Sequence, residues 1–389
     1  MALKQRFAGL VVLFLVLVGL TIALNQFVTT QYPFGVDFYV YWHNARLLFI
    51  EDQSPFTDEA ALQTQLALYG RPAFSHEDQK GFVYLPYSLF LIWPTIWIPF
   101  SLALAFWFAF NWLLAIGAAK FAFPDLPLWI VMTIPLFYPI ARGLVMGQFS
   151  VLLGSLLLVV YGVLNPQRTP QKVEQWFVGF LLTLLTIKPQ LTWLLVIYFL
   201  FYAFKTKCYG ILISFFVGVG ILSVMSWSLI PAWPSQLIRQ IIHGSDEYQT
   251  PHLLPQIYAG WFVSDWGAIL ASAFIIILLV VGTILVFKLS WNNDLNLFTA
   301  LAWCALVIQL VHPLNVPSEQ VVLLLPILVG IRLRLNIHLT WSVVVAVPYL
   351  IFIFSQDVNL EPMALTTLPP LFFLMWMIWL TVQLPRDVV

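Results

Sequence analysis

The chain has 389 residues, 61% of them hydrophobic and only 9% charged, at a mean hydropathy of +0.92. Soluble domains carry about 25% charged residues, so this composition excludes a soluble globular protein and predicts an all-α polytopic membrane protein. Basic and acidic residues balance at 17 each, which leaves no clustered positive charge for nucleic acid. Cys208 and Cys304, the only cysteines, give neither a disulfide framework nor metal-ligand spacing.

Uncharged runs long enough to span a bilayer, with some shorter proline-broken ones, fall at residues 7–23, 101–119, 126–141, 147–164, 175–187, 190–204, 209–230, 266–287, 295–311, 316–331, 337–355 and 362–384. They predict a bundle of about twelve transmembrane helices. The first run follows Lys4 and Arg6 and lacks a small-x-small cleavage site, so it reads as a retained anchor. Residues 84–100 are apolar but are cut by Pro86, Pro94 and Pro99, and they read as re-entrant or interfacial.

Charge orients the bundle, because cytoplasmic loops collect Lys and Arg. With the N-terminus inside, Lys4, Arg6, Lys120, Arg168, Lys172, Lys205, Lys207, Lys288, Arg332 and Arg334 share one side, while most carboxylates fall on the other. Arg46, Arg71, Lys80, Arg142, Lys188 and Arg239 run against that bias, and each demands a reason. Two long loops, 25–82 and 231–265, lie on the non-cytoplasmic face of a single membrane domain spanning 1–389. Function is expected there.

In the first loop, Phe38, Trp42, Ala45 and Phe49 make one helical stripe, predicting an amphipathic helix lying on the membrane. Asp37, Tyr41 and Asn44 take a neighbouring face. Asp37 is either a functional carboxylate or, at the helix start favoured by the dipole, an N-cap or an early-turn charge. In Arg142-Gly143-Leu144-Val145-Met146-Gly147-Gln148, the glycines permit close backbone approach to a ligand, and Arg142 offers a planar fork for phosphate. The competing reading is a helix-helix turn with a snorkelling arginine.

Lys188, in Thr186-Ile187-Lys188-Pro189, is expensive near bilayer depth, so it either faces a cavity or an anionic group or snorkels to the surface. Helix contacts at Lys188 and Arg142, beside Pro and Gly breaks, should be few. Between two late spans stand His312-Pro313-Leu314-Asn315-Val316-Pro317-Ser318-Glu319-Gln320. Here Glu319 is a second acid or base or the partner of an outer basic residue, and His312 alone is a weak signal.

The runs Asp37-Phe38-Tyr39-Val40-Tyr41-Trp42 with Asn44-Ala45-Arg46, then Ser54-Pro55-Phe56, then Tyr84-Leu85-Pro86 resemble the start of glycosyltransferase family 87, the polyprenyl-phosphate-mannose-dependent mannosyltransferases of the GT-C superfamily. Gly147-Gln148, Gly179 before Lys188-Pro189, and Lys205-Thr206-Lys207 are similar to that family in the same order. The resemblance implies a GT-C-like bundle with a long first extracytoplasmic loop carrying interfacial amphipathic helices and supplying a catalytic Asp, which matches Asp37. It also implies transfer of sugar from a polyprenyl-phosphate carrier with inversion. The chain departs from the family's Ser-Pro-x-Ser-Trp-x-His-like stretch at 312–319.

Inverting transfer needs a base for the acceptor hydroxyl and cations for the phosphate leaving group. Asp37 is the candidate base. Lys188 and Arg142 are candidate phosphate ligands, with Arg46 a secondary phosphate ligand or structural partner. Tyr41, Trp42, Tyr84 and Trp261 offer faces for sugar, and Gln148, His252, His312 and Glu319 complete the candidate sugar and acceptor contacts. No cofactor or metal is called for. The expected partners are a polyprenyl-phosphate-sugar donor, a glycolipid or glycan acceptor and the lipids of a bacterial-type plasma membrane. A transporter or flippase of a lipid-linked sugar, and a non-enzymatic scaffold, are the competing functions.

Overall fold

A computed structural model of the protein describes residues 2–32, 34–74, 77–164, 170–247, 263–292, 295, 297–311, 317–334 and 337–355. Among the described residues there are 16 α-helices and no strand. Four helices are long and apolar enough to cross a membrane: Phe7–Thr29, Phe100–Ala122, Tyr209–Leu229 and Trp266–Trp291. Large apolar side chains such as Phe14, Ile221 and Leu270 stand exposed along them, as lipid-facing surfaces do.

The run 126–141 is not one straight span. It forms α6 (Leu128–Thr133), a 3-10 turn (Ile134–Leu136) and α7 (Tyr138–Met146), the two arms meeting at 49°. Pro135 and Pro139 each remove a backbone donor there, which is what bends the path. Residues 84–100 likewise make no span: they fold as Pro86–Ser88, α4 (Leu89–Ile92) and Trp93–Thr95, a chain of short turns.

The helices divide into two compact units. The first holds residues 1–117, 143–152 and 221–250. In it α1 (Ala2–Leu24) packs Leu24 against Ala105 and Ala109 of α5 (Phe100–Ala122). The first loop supplies α2 (Val36–Phe49) and α3 (Asp58–Tyr69). Thr57 caps α3 by accepting from the Ala60 N–H at 3.1 Å, and Asp58 and Glu59 favour the same helix end.

The second long loop begins with α12 (Trp233–Glu247), which docks on the first loop. Ser54 Oγ donates to Gln236 at 2.9 Å, and Gln240 Nε2 donates to the Phe56 carbonyl at 3.1 Å. The exposed Arg239–Asp58 pair at 3.2 Å adds little beside these.

The second unit holds residues 118–142, 153–220 and 251–389. In it α9 (Lys172–Leu185) and α11 (Tyr209–Leu229) cross through small residues. A Cβ on Gly179 would meet the Ile211 carbonyl at 2.4 Å, and one on Gly218 would meet Thr183 Oγ1 at 2.5 Å. Ser214 Oγ donates to the Trp176 carbonyl at 2.7 Å across the same crossing. Apolar packing alone discriminates weakly in lipid, so this small-residue seam with its hydrogen bonds fixes the register. α10 (Pro189–Lys205) packs most extensively on α14 (Leu297–Val311), and Tyr198 Oη bonds Ser290 Oγ of α13 (Asp265–Trp291) at 3.1 Å.

Candidate active site

In the first unit, the turn between α7 and α8 (Phe149–Val163) meets the start of α2. Gly147 has φ +72°, the Gly147 N–H donates to the Leu144 carbonyl at 3.1 Å, and the Gln148 N–H donates to the Gly143 carbonyl at 2.8 Å. Together these close a Schellman-type helix end. A Cβ on Gly147 would meet Phe38 Cβ at 2.4 Å. The glycine therefore serves the approach of the turn to α2, where the sequence suggested approach to a ligand.

Gly35, the residue preceding α2, lies at φ +76° and donates to the Val145 carbonyl at 2.9 Å. The indole of Trp107 on α5 donates to the Gly147 carbonyl at 3.0 Å. With the turn so anchored, Gln148 Nε2 donates to Asp37 Oδ2 at 2.6 Å. Ser150 Oγ donates to Gln148 Oε1 at 3.3 Å, which orients the amide with its nitrogen toward the carboxylate.

Asp37 lies in the first turn of α2, while the capping position belongs to Gly35, with no side-chain cap bond. Asp37 is thus an early-turn charge and not the cap, and its carboxylate accepts from an amide 111 residues away in sequence. One helical turn on, Tyr41 Oη bonds Tyr84 Oη at 3.1 Å, and the Tyr41 ring stacks on Phe149 at 4.2 Å.

α2 is not a surface helix with one wet face. Phe38, Val40, Tyr41, Trp42, Asn44, Ala45, Leu47 and Leu48 are all buried, so protein covers both the expected apolar stripe and its neighbour. Trp42 donates its indole N–H to the Thr95 carbonyl at 3.1 Å. Arg46 donates to the Ile96 carbonyl at 2.8 Å and lies 5.0 Å over the Trp42 ring. Both hold the turns after α4. The rings of Tyr41 and Trp42 are taken up by protein contacts and do not stand open as sugar platforms, while Tyr84 is half-buried. Burial holds His43 below the usual imidazole range, against the pull of Glu51.

In the second unit, Lys188 precedes Pro189, the first residue of α10, and ion-pairs with Glu319 of the 3-10 helix Pro317–Leu323. The two side chains are 3% and 6% exposed. The pairing alternative for Glu319 is the observed one, and Lys188 does not snorkel. The sequence suggested few structural contacts at Lys188, but besides the ion pair its carbonyl accepts from Leu191 N–H at 3.0 Å, and Gln309 Nε2 of α14 donates to the Glu319 carbonyl at 3.1 Å. Arg142 is exposed. His252, Trp261 and His312 lie outside the described residues.

Lys80 was visible in the sequence only as a basic residue on the wrong side of the charge bias. It is buried, at φ +56°, and its ammonium pairs with Asp78 at 2.6 Å. The same bias flagged Arg71, which forms a fork-to-fork pair with Glu77, both bonds at 2.7 Å.

Compared with known proteins, residues 82–313, more than half of the chain, match the model of glycosyltransferase family 87. The match takes in Tyr84, Arg142, Gln148 and Lys188, while Asp37 precedes it. No curated protein and no solved structure matches the chain.

Proposed function

The chain belongs to glycosyltransferase family 87 and is thus a membrane glycosyltransferase; from that premise we propose that it transfers a hexose, with mannose the first candidate, from a polyprenyl-phosphate carrier to a lipid-linked or glycan acceptor on the non-cytoplasmic face. The proposed frame is a GT-C-like bundle of about twelve spans in a bacterial-type plasma membrane.

Asp37 is the proposed base. It takes the proton of the acceptor hydroxyl as that oxygen bonds to the anomeric carbon. The bond from that carbon to the phosphate oxygen breaks, its electron pair leaves with the polyprenyl phosphate, and the configuration inverts. Arg142, which is exposed, and Lys188, whose ammonium Glu319 already pairs, are proposed on side-chain chemistry alone to stabilise the departing phosphate. The reading assigns no step to a metal or cofactor.

The observation that carries the proposal is the 2.6 Å bond from Gln148 to Asp37. The amide fixes the orientation of the carboxylate, which is the geometry a general base needs. Purified protein incubated with polyprenyl-phosphate-mannose and glycolipid acceptors tests it. An acceptor heavier by one hexose, with stoichiometric release of polyprenyl phosphate, is the expected result. Transfer from a nucleotide sugar alone would contradict the donor assignment.

A further inference from the structure

We infer that α12 lies in the headgroup layer of the membrane, with its Ile238–Ile241 face in lipid, and moors the first loop to the bilayer through its opposite face. The occupant of that exposed apolar face is the lipid interface itself.

The helix begins where a span ends. α11 closes at Leu229, and only Ile230, Pro231 and Ala232 separate it from Trp233. The Trp233 N–H donates to the Ile230 carbonyl at 3.0 Å, so the chain turns at once and α12 starts at the depth where α11 leaves the hydrocarbon. Trp227, in the last turn of α11 and 56% exposed, packs edge-on against Trp233 with the rings 6.4 Å apart. Indoles at the end of a span settle at the headgroup level.

α12 has three faces. At about 100° per residue, Gln236 and Gln240 share one, Ser235 and Arg239 a second, and Ile238 and Ile241 a third, whose centre is turned about 150° from the first. The first face is occupied by protein. Besides its bonds to Ser54 and Phe56, a Cβ on Gly81 would meet Gln240 Oε1 at 2.5 Å, so the loop backbone closes directly on it. The second face is exposed and polar, and Arg239 pairs with Asp58 at the surface. The third leaves Ile238 and Ile241 57% and 52% exposed. An apolar stripe beside a charged, wet face is the pattern of a helix lying in the interface plane.

Lipid accounts for this face where a protein partner does not. Stable protein interfaces bury about 800 Å² per partner, and two isoleucines of one short helix do not supply that area. A helix at a bilayer surface needs only an apolar stripe sunk about 5–10 Å into the headgroup and acyl boundary. The lipid-facing surface of α11, with Val224 and Trp227 exposed, ends immediately before it. Because the opposite face grips Ser54 and Phe56, which follow the helix of Asp37, the depth of α12 sets the height of that loop over the lipid.

Cys208 and Cys304 are both buried, so single cysteines introduced by Ile238→Cys, Ile241→Cys, Ser235→Cys and Arg239→Cys can each carry an environment-sensitive dye. The purified full chain is reconstituted in vesicles of phosphatidylcholine and phosphatidylglycerol. Lipids with a nitroxide near the top of the acyl chain should quench the dye at 238 and 241 at least about twofold more than at 235 and 239, and iodide on both sides of the membrane should give the reverse order. The two isoleucines are exposed, so their replacement disturbs no packing, and each position reports alone where the other variant does not fold. Iodide reaching 238 and 241 as readily as 235 and 239 overturns the inference. Shielding of 238 and 241 from both quenchers overturns it as well, by placing a protein partner on that face.

Discussion

Gln148 and Asp37, 111 residues apart in sequence, are joined by a 2.6 Å hydrogen bond from amide nitrogen to carboxylate oxygen. A bond to a charged acceptor contributes about 1.5–3 kcal/mol, so its loss should be felt in the step that needs the oriented carboxylate. Gln148→Ala is expected to lower kcat by about ten- to a hundredfold and to lower the Tm through the loss of the same bond. Unchanged turnover in a steady-state assay would show that the orientation of Asp37 does not depend on the amide.

Gly147 holds that contact in place from the backbone. Gly147→Ala combines a positive-φ alanine with a Cβ 2.4 Å from Phe38 Cβ, and both must be relieved by withdrawing the turn from α2. A loss of about 2–4 kcal/mol is expected, read as a lower Tm in detergent together with reduced turnover. A variant as stable and active as wild type would mean that the turn has slack.

The buried Lys188–Glu319 pair changes what a lysine deletion can report. Removing one partner strands the other charge, so Lys188→Ala should destabilise by about 3–5 kcal/mol. The double variant Lys188→Met with Glu319→Leu replaces the pair by apolar groups of similar volume and should recover most of that stability. If the lysine also stabilises the phosphate, the double variant stays inactive although folded. Full activity in the folded double variant would limit the pair to a structural role.

Sequence legibility follows the range of the interaction. The membrane class, the start of the first-loop helix and the choice of Asp37, Lys188 and Glu319 as candidates rest on composition, local period and the cost of charge near lipid. Asp37–Gln148 and Lys188–Glu319 as pairs are tertiary contacts, and no local pattern encodes them. No apolar period marks the bounds of α3 or α12, although Thr57, Asp58 and Gly70 mark the ends of the first. Pro231 just before α12, with Pro234 and the polar residues inside it, resembles a loop, but Gln236 and Gln240 form the i, i+4 face that docks. The covering of both faces of α2 was hidden because Tyr41 and Asn44 are polar by type, and their burial depends on neighbours that the helix itself does not specify.

The docking of α12 on the first loop predicts that Gln53 and Ser235 lie on one side of the membrane. Single cysteines at both exposed positions should be modified by an impermeant thiol reagent in intact cells. Protection of both would put this face in the cytoplasm, and protection of only one would contradict the packing of the two loops.

The central claim is that Asp37 is the base, and the Asn substitution separates it from any structural role. The isosteric amide can occupy the same space beside Gln148 but cannot accept the acceptor's proton. Transfer of hexose from polyprenyl-phosphate-mannose to a glycolipid acceptor, measured by product mass with purified Asp37→Asn protein, should fall to background while the Tm stays near wild type. Near-normal transfer by that variant would contradict the account and move the search for the base to Asp58 or Glu319.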